Sequence, residues 1–260
     1  LGDLTVDLHH HLDLTLAHPG VIARRGPDDV ERPYDPDKSS ELNAKSNAET
    51  KAEANELVTR KFGENAAKYA TSVVHAKGAS LLRLVEMVEP DPYWRALDVA
   101  TAAGHTAFAF APHVAEVVAS DLTPEMLKVA AGVASERGLK NVSFKPADAE
   151  ALPFPEARFD LVTSRIAPHH FPHPKVFVAE AFRALKSGGV FALDDNIVPD
   201  PTSDEARAVG VFMNDWEKKR DPSHVRALPI CEWCESISAA GAQVQSIETM
   251  TKAMDFAPWA

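Results

Sequence analysis

Between Arg95 and Ala107 the chain reads R-A-L-D-V-A-T-A-A-G-H-T-A. An apolar run ends in an acid, Asp98. Small residues follow at Ala100, Thr101, Ala102 and Ala103, and Gly104 opens a second apolar segment. This is the pattern of a strand, a tight turn and a helix start, a geometry that offers free backbone N–H groups to a ligand. The acid selects the ligand. A dinucleotide pyrophosphate is anionic and is met by G-x-G-x-x-G with no carboxylate in the turn. Neither condition holds here, since Asp98 repels an anion and the glycines are absent. A cationic ligand without phosphate suits the site, and small side chains let the backbone approach it.

From Trp94 onward strand and helix patterns alternate, which implies an α/β fold with a doubly wound, mostly parallel sheet. Thr123 and Pro124 read as an N-cap and first helical position, and Gly138 closes that helix. Pro174 starts the next helix, and Gly188-Gly189 ends it. Ligands of such sheets bind outside the carboxyl ends of the strands. Asp98, Asp121, Asp148 and Arg165 all fall at such ends, each about one βα unit from the last.

The remainder divides as follows. Residues 1–50 read as an irregular extension, because L-T-V-D-L-H-H-H-L-D-L-T-L gives way to a proline-broken acidic stretch. Residues 51–92 read as a helical cap, with Leu81, Leu84, Val85 and Val88 at helical spacing. Residues 93–200 form the core. Residues 201–260 hold a polar lid insertion, a helix from about Pro229 to Gly241 and a strand from Ala242 to Met250.

The balance of 27 Lys and Arg against 38 Asp and Glu gives a net charge of −11 and argues against nucleic acid as a partner. No apolar run approaches the ~20 residues that span a bilayer, and the N-terminus carries no secretory signal. Two cysteines favour a reducing compartment, cytoplasm or organelle. Cys231-Glu-Trp-Cys234 lies in an apparent helix without a second pair, so half-buried thiols are expected rather than a redox or zinc site. His9-His10-His11 reads as a surface or interface run.

The motifs together resemble the class I S-adenosylmethionine (SAM)-dependent methyltransferases, in the small-molecule branch related to ubiquinone/menaquinone C-methyltransferases. D-V-A-T-A-A-G-H resembles the first motif, V-V-A-S-D followed by T-P-E-M-L the second strand, and P-A-D-A-E-A-L-P-F the loop whose Asp reaches the adenine. F-D-L-V-T-S-R-I-A-P-H-H-F resembles the fourth strand with its active-site loop, and A-L-K-S-G-G-V-F-A-L-D-D the step that follows. The resemblance covers roughly Glu53 to Asp200. It implies a Rossmann-like methyltransferase fold with a helical N-terminal cap and an extended N-terminal arm. SAM is the implied cofactor, and a small organic molecule the acceptor.

Residue by residue, the resemblance makes Asp98 the holder of the methionine ammonium, or else a cap of the Gly104 helix. Ala100, Thr101, Ala102 and Gly104 form the close-approach turn. Relatives often carry Gly where Ala102 stands, and Ala tolerates positive φ poorly, so the turn either narrows or avoids that conformation. Asp121 takes the ribose hydroxyls, next to Leu122, with Thr123 expected to cap the helix. Met126 packs on the adenine or simply fills the core, and Asp148 with Ala149 reads the adenine edge. Arg165, His169 and His170 lie beside the transferring methyl, where a histidine near neutral pKa would serve as base. His173 completes H-H-x-x-H, which lacks the carboxylate or thiolate partners of a metal site. Phe62, Tyr69 and His75 of the cap, and Arg220 and His224 of R-D-P-S-H-V-R, are candidate substrate contacts; packing and a solvated loop are the alternatives.

Relatives carry a last antiparallel strand beyond the point where this chain stops. An open sheet edge follows, or one shared in a homo- or hetero-oligomer through the arm. Two functions therefore stand: O- or C-methylation of a small acceptor, or a methyltransferase-fold assembly subunit with little turnover. A nucleotide oxidoreductase is disfavoured by Asp98.

Overall fold

The computed structural model describes residues 15–26, 41–70 and 79–253. The expectations placed on His9-His10-His11, on His75 and on the Tyr69 side chain lie outside what is described. Among the described residues seven strands form one sheet: β1 (Thr15–Arg25), β2 (Arg95–Val99), β3 (Glu116–Asp121), β4 (Val142–Pro146), β5 (Phe159–Arg165), β6 (Leu185–Asp194) and β7 (Ala242–Ala253). Their spatial order is β4-β3-β2-β5-β6-β1-β7. The five strands from β4 to β6 run parallel, and β1 is antiparallel to both its neighbours. This is the mostly parallel, Rossmann-like architecture that the alternating pattern implies.

The central strands β2, β3, β5 and β6 are largely buried on both faces because helices cover both. Successive side chains point to opposite faces. Leu97, Val99, Phe191 and Leu193 enter one core with Phe177, Val178, Trp233 and Ile237, from α5 (Pro174–Ala184) and α7 (Ile230–Ala239). Ala96, Val190 and Ala192 enter the other with residues of α2 (Ala79–Val88), α3 (His105–Phe110) and α4 (Pro124–Glu136). α1 (Glu41–Ala70) packs against α4 and lies across the carboxyl ends of the strands.

Two expectations are corrected. The extension 1–50 is not irregular throughout, since it contributes β1 and the first turns of α1. Nor is the antiparallel strand missing. β1 supplies it, inserted between β6 and β7 with Val21 and Ala23 in one core and Ile22 in the other. Val21 faces Leu193 on one side and Ile247 on the other in the pairing register. Pro19 and Gly20 lie within this strand; a Cβ on Gly20 would come within 3.2 Å of Met87 Sδ, so the bare backbone lets α2 sit close. The polar insertion after Pro199 contains α6 (Asp204–Arg220), a helix of 17 residues whose N-cap, Ser203, accepts from the Ala206 N–H at 3.1 Å. Among the described residues no helix is long and apolar enough to cross a membrane.

Candidate active site

The turn after β2 is left-handed at alternate residues: Ala100 has φ 56°, Ala102 φ 48° and Gly104 φ 88°. The loop thus adopts the conformation that alanine resists, at about 1–2 kcal/mol per residue. Backbone bonds hold it there. Thr101 N–H donates to Ser120 O at 2.8 Å and Gly104 N–H to Thr101 O at 2.8 Å. Ala102 N–H donates to Asp121 Oδ2 at 2.8 Å. Glycine is required at 104 for a second reason, because an added Cβ would lie 2.3 Å from Phe108 Cζ.

Asp98 ends β2 beneath this turn. It is 2 % exposed. Thr101 Oγ1 donates to its Oδ2 at 2.6 Å, Thr163 Oγ1 to its Oδ1 at 2.7 Å, and Ala107 N–H to Oδ2 at 3.2 Å. Burial pushes its carboxyl up to about 6, against the pull of those donors. Asp98 therefore caps α3 and braces the turn, and it does not line the cavity.

Asp121 ends β3 and does line the cavity. Its Oδ1 accepts from Thr123 N–H at 2.8 Å. Burial raises its pKa, against the two backbone donors. The Thr123 side chain makes no cap bond to α4. Asp148 follows β4 and is reached from above: Lys51 of α1 pairs with Oδ2 at 2.8 Å, and Asn55 Nδ2 donates to the same oxygen at 3.5 Å. Lys51 also pairs with Glu150 at 3.2 Å. Burial pulls the Lys51 pKa down, but the two carboxylates outweigh it and raise it overall. Glu150 in turn accepts from His173, whose Nδ1 lies 3.0 Å from Oε2.

Arg165 ends β5 beside its register partner Asp194, with Nε donating to Oδ2 at 3.0 Å and Nη2 to Ser80 Oγ at 3.0 Å. Ile166 follows with φ 50°, a strained value for a β-branched residue, held by its N–H to Asp194 O at 2.7 Å. His169 and His170 occupy a short 3-10 turn, Pro168–His170. His169 Nδ1 lies 2.6 Å from Asp195 Oδ1, behind the cavity wall. His170 borders the cavity, with Phe62 edge-on to its ring at 5.2 Å. Burial, and then the neighbouring His169, lower the His170 pKa to about 3. Protonating this ring would bury a charge, which places its pKa below the near-neutral range expected of a base.

These residues enclose a cavity of about 980 Å³, counting its open mouth. Of the cofactor residues expected from sequence, Ala100, Thr101, Ala102, Asp121, Leu122, Met126, Asp148, Ala149 and Arg165 line it, and Asp98 and Gly104 do not. Phe62 and His170 also reach it, whereas Arg220 and His224 do not. Arg220 instead pairs with Glu217, and His224 Nε2 lies 2.9 Å from Asn214 Oδ1. Sequence reasoning missed Asn55, Val58, Glu150 and Ile166 in the wall. The signal for the first two was present, since Lys51, Asn55, Val58 and Phe62 recur at i, i+4, i+7 and i+11 on one helical face. Among the described residues no group of three or more His, Cys, Asp or Glu is placed to hold a metal. Cys231 and Cys234 lie half-buried on α7, and burial raises both thiols.

A doubly wound sheet, a tight left-handed turn after its first parallel strand and an acid at the end of the next place the chain among the doubly wound α/β proteins, whose ligands bind outside the carboxyl ends of the strands. Comparison with known proteins agrees. The methyltransferase domain family matches residues 97–193. An uncharacterized methyltransferase, YcgJ of Bacillus subtilis, is 39 % identical over 199 residues, covering 76 % of this chain and 76 % of its own. Its crystal structure superposes with a TM-score of 0.59 at 40 % identity, over 62 % of this chain and 67 % of that one. A putative methyltransferase from Bacillus halodurans gives 0.60 at 44 % identity, over 63 % and 69 %. The ubiquinone/menaquinone C-methyltransferase of Zymomonas mobilis is 35 % identical over 107 residues, 41 % of this chain and 44 % of its own. The chain belongs to the class I SAM-dependent methyltransferases and is related to the ubiquinone/menaquinone C-methyltransferases.

Proposed function

We propose that the protein binds SAM in this cavity and transfers its methyl group to the oxygen or carbon of a small organic acceptor. One observation carries the reading: the Asp121 and Asp148 carboxylates, at the ends of adjacent strands, border the same cavity as the left-handed turn and His170. The residues fit the cofactor. Asp121 keeps lone pairs for a ribose diol beyond its two backbone donors, and Asp148 keeps one for an adenine amino group. Leu122 and Met126 offer apolar surface to the ring.

The cofactor's sulfonium supplies the methyl group, and the protein supplies alignment and a dry pocket. Arg165, tied to Asp194, forms a fixed part of the wall. His170 Nδ1 lies 3.0 Å from the Ser223 carbonyl, so it carries the proton and Nε2 is the ring's acceptor. With its pKa lowered to about 3, His170 orients an acceptor hydroxyl by accepting its hydrogen bond. Phe62, Phe171 and Pro172 make the adjoining wall apolar, which suits a phenol or an activated carbon acid. The reading as an assembly subunit loses one of its supports, because β1 fills the sheet position that had read as empty.

Calorimetry with SAM, S-adenosylhomocysteine and NAD tests the cofactor. Binding of the first two and not of NAD is expected; NAD binding alone overturns the proposal. Transfer of label from methyl-labelled SAM to a panel of phenols and enolisable carbon acids tests the acceptor class, and His170→Ala is expected to lower that transfer.

A further inference from the structure

His170 is held from one side by the loop that follows α6. Its Nδ1 lies 3.0 Å from Ser223 O and 3.3 Å from Ser223 Oγ. The carbonyl can only accept. The hydroxyl has one proton, and Ser223 Oγ donates it to Asp221 Oδ1 at 2.5 Å. Both Ser223 oxygens therefore present lone pairs to His170, which must donate from Nδ1. Asp221 Oδ1 also accepts from Ser223 N–H at 2.9 Å, so one carboxylate sets the position of Ser223 and the direction of its hydroxyl.

Asp221 is in turn held from the cap. Lys61 of α1 pairs with the same oxygen. The next residue, Phe62, packs edge-on against the His170 ring. Two consecutive residues of the cap helix thus reach His170, one directly and one through Asp221 and Ser223. The other charged or titratable groups facing this histidine are His169, with its partner Asp195, whose rings and carboxylate lie behind the cavity wall. Burial works against the Asp221 carboxylate, but Lys61 and Ser223 hold it well below the usual carboxylate range. It is therefore a fixed anion at any physiological pH.

We propose that Asp221 is a positioning residue for His170. Acting through Ser223, it locks the imidazole as the Nδ1–H tautomer with Nε2 as its acceptor toward the cavity. Lys61 latches this arrangement to the cap helix, so the histidine is set only while the cap lies over the strand ends. The proposal rests on the assignment of the cavity as the methyl-transfer site, but it concerns a proton on a named atom and can be tested apart from turnover.

The test is nitrogen-15 NMR of the full chain labelled at histidine, with long-range proton–nitrogen correlations reporting the tautomer of each ring. His170→Gln assigns the His170 signals. The wild type is expected to show His170 in the Nδ1–H form alone. Lys61→Ala and Asp221→Asn are expected to shift its two nitrogens toward a mixture of tautomers, and Lys61→Arg to restore the single form. Lys61 is only half-buried and Lys61→Ala leaves Asp221 and Ser223 in place, so it informs even if Asp221→Asn misfolds. An unchanged His170 spectrum in Lys61→Ala and in folded Asp221→Asn overturns the coupling, as does a wild type in the Nε2–H form. Calorimetry with S-adenosylhomocysteine separates this from the cofactor reading. Failure of the wild type to bind overturns the cofactor reading, and the spectra still decide the coupling.

Discussion

Replacing Asp121 with alanine separates two roles that one carboxylate combines. In the structure its oxygens accept from Ala102 N–H and Thr123 N–H, both at 2.8 Å. Truncation leaves two poorly solvated N–H groups, each costing about 1–3 kcal/mol, so a stability loss of about 2–6 kcal/mol is expected. Relaxation of the left-handed Ala102 offsets about 1–2 kcal/mol of it. Binding suffers separately. Hydrogen bonds from ribose hydroxyls to a charged acceptor are worth about 1.5–3 kcal/mol, which corresponds to a ~10–150-fold weaker affinity. Asp121→Asn keeps one acceptor oxygen and should fall between alanine and wild type on both scales. Denaturant unfolding measures the first effect, and calorimetry with S-adenosylhomocysteine, below the unfolding transition, measures the second. If stability falls and affinity is unchanged, Asp121 is only a brace for the turn and the ribose site lies elsewhere.

Three further outcomes are expected. Val21 is fully buried between β6 and β7, so Val21→Asp loses its apolar burial and places an unpaired charge in the sheet. A cost of at least about 4 kcal/mol follows, or ~8–16 °C in Tm, and a shift under ~3 °C by calorimetric scan would refute the placement of β1. Gly104→Ala must displace the Phe108 ring and hold φ 88°. About 2–5 kcal/mol of destabilisation is expected, and unfolding within about 0.5 kcal/mol of wild type would contradict this packing. The third outcome depends on pH. The Asp98 carboxyl is raised in the fold from 3.8 to about 6, so its contribution to stability is full below pH 4 and is lost as pH rises through about 6. Asp98→Asn removes that dependence, and the variant should gain on wild type by roughly 2–3 kcal/mol between pH 4 and 7 in urea melts. A constant difference across that range would refute the raised value.

The parallel half of the fold was legible because each βα unit is a local pattern. An apolar run, a turn and a helix start lie within about twenty residues, and they put Asp121, Asp148 and Arg165 at strand ends without knowledge of any long-range contact. The turn was legible in the same way, from small residues and Gly104. What Asp98 does was not. Its donors include Thr163, which is adjacent only because β5 pairs with β2. The strand Thr15–Arg25 was hidden because a strand between two antiparallel partners is specified by those partners, β6 and β7, far along the chain. Helix α6 was hidden because its face toward the domain is small: Gly210 and Glu217 are buried, while Val211 and Phe212 are exposed. The wiring of His170 was equally out of reach. Composition and motif mark a histidine beside the acceptor, but its charge state follows from burial, and its tautomer follows from Ser223, Asp221 and Lys61, brought together from α1 and the lid loop. Local sequence determined which chemistry-bearing residues sit at the strand ends. Tertiary structure decided which of them face the cavity and in what protonation state, because burial and hydrogen-bond partners are properties of the packed chain.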